Sequence, residues 1–120
     1  MIGPSAVTIA LPYPPSANRI WRNVGGKVLK SGPYRAWLSA VQGEVLAARC
    51  GRIAGAYRLE VRANRPDRRA RDIDNLLKPV SDALMAAGVI SDDSAALSVF
   101  AEWLTPIIKG GRLHVTVTPA

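Results

Sequence analysis

The chain has 120 residues, 48% of them hydrophobic, and a formal charge of +7. That length suits one domain over residues 1–120 with a modest core, and this apolar content excludes disorder, while the apolar runs are too short to span a bilayer. A pI near 10.3 favours a polyanionic partner. Ala6–Leu11 is a short β-branched run that predicts a strand, stopped by Pro12, Pro14 and Pro15. Those prolines make Pro12–Asn18 an extended loop. Ile20 to Leu29, with Gly25-Gly26 at its middle, reads as a hairpin or an irregular excursion. Ser31 or Gly32 caps a first helix with Pro33 in its first turn. Trp37, Leu38, Val41, Val45 and Ala48 recur there at helical spacing, and Gly51 is the expected stop.

Tyr57 to Ala63 alternates apolar and charged residues, as a strand with one buried face does. Residues 64–71 are polar and arginine-rich, so they predict a surface connection. A second helix carries Leu76, Leu77, Val80, Leu84 and Ala87 on its apolar side, with Gly88 as its C-cap and Pro79 near its start. Leu97–Leu104 predicts a strand, Gly110-Gly111 a turn and Leu113–Thr118 a closing strand. The order β, α, β, α, β, β indicates an α+β (mixed α/β) domain with two helices packed on one mixed β-sheet. Cys50 stands alone, so neither an intrachain disulfide nor a thiolate metal site is expected. With no signal-peptide pattern at the start, a reducing, cytoplasmic setting is expected.

Six of the nine acidic residues fall in one stretch: Asp67, Asp72, Asp74, Asp82, Asp92 and Asp93. Arg62, Arg65, Arg68, Arg69 and Arg71 crowd the same stretch. Carboxylates inside a phosphate-binding patch would repel the ligand and weaken the counterion release that drives nucleic-acid binding. They belong there if they hold a divalent cation that then meets a phosphate. If the chain is extended at Asp72-Ile73-Asp74, both carboxylates point to one face and Ile73 to the core, and the two can share a Mg²⁺. Asp74, Lys78 and Asp82 follow at spacings of four, on the helix face opposite the leucines. Lys78 is thus placed to stabilise charge on a phosphate or to orient the attacking water. Asp92 and Asp93 lie beyond a helix of about 18 Å. They reach Asp74 only if the loop returns or a second subunit supplies them. Taken singly, Asp72 could be an N-cap, Asp82 a solvated helix residue and Asp92-Asp93 a plain turn.

The segments Arg65–Leu84 and Ala87–Asp93, with Leu11–Arg19 near the start and Lys109–Leu113 near the end, resemble the RusA-type Holliday-junction resolvases. The resemblance covers nearly the whole chain and is most specific in Asp-Ile-Asp-Asn-Leu-Leu-Lys (72–78) with the downstream Asp-Asp pair. It implies a homodimeric, Mg²⁺-dependent endonuclease, with Mn²⁺ as a possible substitute and no small-molecule cofactor. Such an enzyme cuts four-way DNA junctions by paired symmetric nicks in recombination and repair, and is encoded by a bacterium, phage or prophage. By motif position, Asp72, Asp74 and Asp93 would hold the metal and Lys78 would be the catalytic lysine. Asp92 would support them.

Arg68, Arg69 and Arg71, with Arg19 and Lys109, are the expected backbone contacts, which position a protein but read no bases. Ala70 interrupts that arginine run. Trp21, Trp37 and Trp103 could stack on an unpaired base, but core or dimer-interface roles are expected, for Trp37 above all. His114 is expected to be structural. The competing readings are a non-catalytic nucleic-acid binder whose aspartates are caps and ion-pair partners, and a Mg²⁺ nuclease acting on flaps, nicked duplex or RNA.

Overall fold

The computed structural model describes residues 6–16 and 19–120. Residues 1–5, together with Ala17 and Asn18 at the end of the expected proline-rich loop, lie outside the described residues. Six strands and two helices follow in the order β1 (Val7–Leu11), β2 (Trp21–Val24), β3 (Lys27–Lys30), α1 (Gly32–Ala47), β4 (Tyr57–Asn64), α2 (Leu77–Ala86), β5 (Ala96–Leu104) and β6 (Arg112–Pro119). Four strands form one sheet in the order β1-β6-β4-β5, and β2-β3 is a separate antiparallel hairpin. The pair β4-β5 is parallel, with α2 in the crossover between them, whereas β6 runs antiparallel to both β1 and β4. The α+β class with two helices and one mixed sheet is therefore what the protein adopts.

The alternation in the strands explains which face the helices cover. Tyr57, Leu59, Val61 and Ala63 of β4 and Leu113, Val115 and Val117 of β6 are buried, with Val7, Ile9 and Leu11 of β1 beside them. Tyr34, Trp37, Val41 and Val45 of α1 and Val80, Ala83 and Leu84 of α2 complete one continuous core. Trp37 is thus a core residue, as expected, and its indole N–H donates to the Pro12 carbonyl at 2.8 Å, tying the proline loop to α1. His114 is structural too, within 3.1 Å of Asn64 Oδ1.

Both helix starts and stops have local causes. The Ser31 hydroxyl accepts the Tyr34 N–H, and proline occupies the first turn of α1. The expected stop at Gly51 is not used. Arg49 takes the left-handed conformation (φ 53°), and Cys50 N–H closes back onto the Val45 carbonyl. Cys50 is half-buried, and burial pushes its thiol pKa up. α2 ends as expected at Gly88 (φ 78°), with Val89 N–H returning to the Leu84 carbonyl. Its start differs, because a 3₁₀ turn over Ile73–Leu76 precedes it.

Candidate active site

The segment Asp72-Ile73-Asp74 is not uniformly extended. Asp72 is extended (φ −82°, ψ 123°), but Asp74 lies in the first turn of the 3₁₀ segment. Ile73 still packs against the core, while both aspartates are exposed. The two carboxylates accordingly open onto adjoining grooves rather than one flat face. Asp72 lines a groove of about 370 Å³ with Tyr13–Ser16, Ala70, Arg71, Asn75 and Leu76. Asp74 lines one of about 190 Å³ with Ile20, Trp21, Tyr34, Asn75, Lys78, Pro79 and Asp82. Asn75 borders both.

Among the described residues, neither the Asp72 nor the Asp74 carboxylate has a hydrogen-bond or ion-pair partner. Asp72 occupies an N-cap position but makes no side-chain cap bond. Two unneutralised carboxylates beside Arg71 and one turn from Lys78 are hard oxygen donors of the kind Mg²⁺ accepts. No set of three His, Cys, Asp or Glu side chains forms a ready-made cage among the described residues. Mg²⁺ does not require one, because it keeps several waters and takes one or two protein carboxylates.

Asp74, Lys78 and Asp82 line the same groove, although Asp74 lies in the 3₁₀ turn and not, as expected, on the helix with the other two. Lys78 Nζ lies 3.1 Å from Asp82 Oδ1. It also lies 3.2 Å from Asp93 Oδ2. The chain therefore folds back after Gly88. Val89 and Ile90 are buried, Ile90 bridges Ile53, and the 3₁₀ turn Asp93–Ala95 packs on α2. Asp93 reaches Lys78 within one chain, and no second subunit is needed to bring it there.

Hydrogen bonds from Lys78 to Asp82, then to Asp93, raise the lysine pKa, so the group is an ammonium in this setting. The Tyr34 hydroxyl donates to Asp82 Oδ2 at 3.1 Å from a fully buried ring. Burial first, and Asp82 second, push the Tyr34 pKa up, so the phenol remains a donor. Asp92 is held locally: the Ser94 hydroxyl donates to it at 2.6 Å, which lowers its pKa.

The arginines divide into two groups. Arg71 makes two 2.9 Å bonds to Asp67, and its guanidinium lies 5.7 Å from the Tyr13 ring centre. Arg69 N–H also donates to Asp67 at 3.0 Å. Asp67 thus organises the arginine loop, and its own pKa is lowered by the Arg69 N–H and then by Arg71. Arg68, Arg69, Arg19 and Lys109 are exposed. Arg19, Arg69 and Arg71 share one groove of about 490 Å³ beside Tyr13–Ser16. Trp103 lies under Arg65 at 4.5 Å. Trp21 is half exposed over the Asp74 groove, so of the two expected roles the core one does not apply to it.

Tyr34, Asn75, Tyr13 and Trp21 are the site residues that spacing did not indicate. Tyr13 had one readable signal, the Gly110-Gly111 pair. A Cβ at Gly111 would stand 2.7 Å from the Tyr13 ring, so only glycine admits that ring.

Residues 12–118 match the family model described as Endodeoxyribonuclease RusA. The crossover junction endodeoxyribonuclease RusA of Escherichia coli (strain K12) is 36% identical over 112 residues, covering 92% of each chain. The corresponding protein of Enterobacteria phage 82 is 36% identical over 114 residues, again covering 92% of each. A match of this extent, spanning both the carboxylate segment and the strands that carry it, shows that the chain belongs to the RusA endodeoxyribonuclease family.

Proposed function

We propose that this protein is a Mg²⁺-dependent endonuclease that resolves four-way DNA junctions by paired symmetric nicks, acting as a homodimer in the cytoplasm of a bacterium or phage-infected host. The observation that carries this reading is the pair of unpartnered carboxylates, Asp72 and Asp74, in an arginine-rich segment to which the chain returns Asp93 by way of Lys78. Asp72 and Asp74 would hold the metal, joined by Asp93 once that carboxylate parts from Lys78, and Mn²⁺ can stand in for Mg²⁺. When bound, the metal polarises a phosphate oxygen and lowers the pKa of a water.

The chain's own groups do the rest. Lys78, kept as an ammonium by Asp82 and Asp93, opposes the negative charge that develops on the phosphate. Asp82 and Tyr34 position that ammonium, and Asp92 stiffens the turn that presents Asp93. Arg68, Arg69, Arg19 and Lys109 meet the DNA backbone directly. Arg71 lends its charge while held by Asp67.

The edge of the sheet supports the dimer. β5 is nine residues long, and among the described residues its outer edge pairs with nothing. Val99 registers with buried Leu59 on the helix side of the sheet, yet it is 51% exposed, and Leu97 is 59% exposed. An apolar edge of this length invites strand pairing unless covered. Two copies of β5, antiparallel across a two-fold axis, would cover it and join two four-stranded sheets into one. That symmetry matches the two like strands of an open junction.

The test is cleavage of a mobile four-way junction and of linear duplex, with and without Mg²⁺, by wild type and Asp74→Asn. Paired nicks only in the junction, lost in the variant while binding persists, are expected. Equal cutting of duplex would sink junction selectivity, and binding without cutting in Mg²⁺ or Mn²⁺ would sink the enzyme. Sedimentation of Val99→Lys tests the interface; the expected result is a monomer, and an undisturbed dimer would move the contact elsewhere.

A further inference from the structure

The hairpin β2-β3 is unlike the rest of the fold, because all eight of its strand residues are exposed. Trp21 is 50% exposed and Val28 64%, with Leu29 and Val24 also open. Cations are interleaved with them. Trp21 pairs with Lys30, Arg22 with Leu29, and Val24 with Lys27, so each face of the hairpin combines apolar surface with a basic group. The first 43 residues contain no Asp or Glu. A two-residue Gly25-Gly26 turn with positive φ (56° and 78°) closes the tip.

The base of this hairpin is fixed to the active site. Ser31 N–H donates to the Ile20 carbonyl at 2.7 Å, and Ile20 is buried. The inner edge of Trp21 meets the Tyr34 ring (centres 6.1 Å apart, planes at 60°). Tyr34 in turn bonds Asp82. Trp21 separates two grooves. On one side are Asp74, Lys78 and Asp82. On the other is a groove of about 450 Å³ with Arg22, Lys30 and Arg35 around Val28 and Leu29.

We infer that the hairpin is a DNA-contacting arm whose Trp21 stacks on an unpaired nucleobase beside the scissile phosphate. The neighbouring groove holds the flanking phosphates through Arg22, Lys30 and Arg35. This rests on the junction-resolvase reading and adds to it a source of structural selectivity. An aromatic platform gains a base face only where the base stack is interrupted, as at a branch point, whereas cations contact any duplex equally. A second copy is a poor occupant for this face, since Arg22, Lys27 and Lys30 would meet themselves. An anionic lipid surface would satisfy the cations, but continuity with the Asp74 groove places the arm where a DNA strand must already lie.

The experiment uses the full chain in Ca²⁺ with a four-way junction carrying 2-aminopurine at the branch point, a matched linear duplex, and anionic phospholipid vesicles. Wild type is expected to quench the probe. Trp21→Ala is expected to lose the quench and bind the junction about 5- to 100-fold more weakly. Its duplex binding should stay within about two-fold of wild type, while Trp21→Phe keeps most of the junction preference. Lys30→Gln should weaken junction and duplex alike and lower the salt slope by about one. Junction binding by Trp21→Ala equal to wild type would overturn the inference. So would equal loss on junction and duplex, or vesicle binding that exceeds DNA binding and depends on Trp21. Wild-type cleavage in Mg²⁺ is read separately: a Trp21-dependent quench without cleavage would retain the arm and refute the resolvase.

Discussion

Replacing Lys78 with methionine should move metal affinity and reaction rate in opposite directions. In this structure the Lys78 ammonium holds Asp93 at 3.2 Å and Asp82 at 3.1 Å, so it occupies the carboxylate that a divalent cation would use. The Lys78 side chain is 69% exposed, and an ion pair of that exposure contributes only ~0.2–1 kcal/mol. Releasing Asp93 therefore tightens metal binding by about 1.5- to 5-fold. Methionine keeps the apolar stem without the charge. On the proposed mechanism the same change removes the cation that opposes charge developing on the phosphate, a loss of roughly 10²- to 10³-fold in rate. The assay pairs a Mn²⁺ titration of the free protein with single-turnover cleavage of a junction in saturating metal. A folded Lys78→Met with unchanged or weaker Mn²⁺ affinity would remove Asp93 from the metal site. A wild-type rate would remove Lys78 from the chemistry.

Three further outcomes are expected. Gly111→Ala places a Cβ against the Tyr13 ring at a left-handed position (φ 73°) and should cost about 2 kcal/mol in urea denaturation. Because Tyr13 also lies against Arg71, junction affinity should fall as well. An unchanged midpoint would show that the loop relocates freely. Tyr34→Phe removes one charge-assisted hydrogen bond to Asp82 and should cost about 1–1.5 kcal/mol, a fall of roughly 3–6 °C in a thermal melt. No change in melting would mean that water replaces the phenol. Asp67 has a folded pKa below its ordinary 3.8, so the stability it contributes is complete above that value and is lost as pH falls through the folded pKa. Thermal melts from pH 6 downward should show wild type and Asp67→Asn converging below about pH 4. A constant gap would assign the effect to loop geometry rather than ionisation.

The fold was legible wherever one face of an element is buried. Tyr57–Asn64 and Arg112–Pro119 alternate because every second residue enters the core, and both strands match expectation to within a residue or two. Two features were not legible. The left-handed end of α1 falls on Arg49 rather than Gly51, because the bond from Cys50 N–H to the Val45 carbonyl sets the stop against the local cost of a left-handed arginine. The exposure of β5 was also hidden. Its sequence reads as a strand, but which neighbours cover a strand is a tertiary fact, and here Val99 is left 51% exposed.

The candidate site was legible in its clustering of charge and only partly in its geometry. Spacings of four pointed to Asp74, Lys78 and Asp82 because one α-helical turn brings Lys78 to Asp82, while the 3₁₀ turn sets Asp74 on the same groove. Asp93 lay beyond that rule, since distance along an axis says nothing about a chain that turns back. A signal for the return was nonetheless present: Gly88 permits a reversal, and Val89-Ile90 directly after it are apolar residues that must find the core. Burying them draws Ser91 to Asp93 back over α2, so the apolar pair, rather than any charged residue, places Asp93 beside Lys78. Tyr34 had no comparable signal. It reads as one more core position on α1, and its hydroxyl meets Asp82 only because the two helices pack together. The positioning of Lys78 thus depends on helix packing as well as on local spacing. Substitutions at the α1–α2 contact should therefore alter the rate without touching a carboxylate.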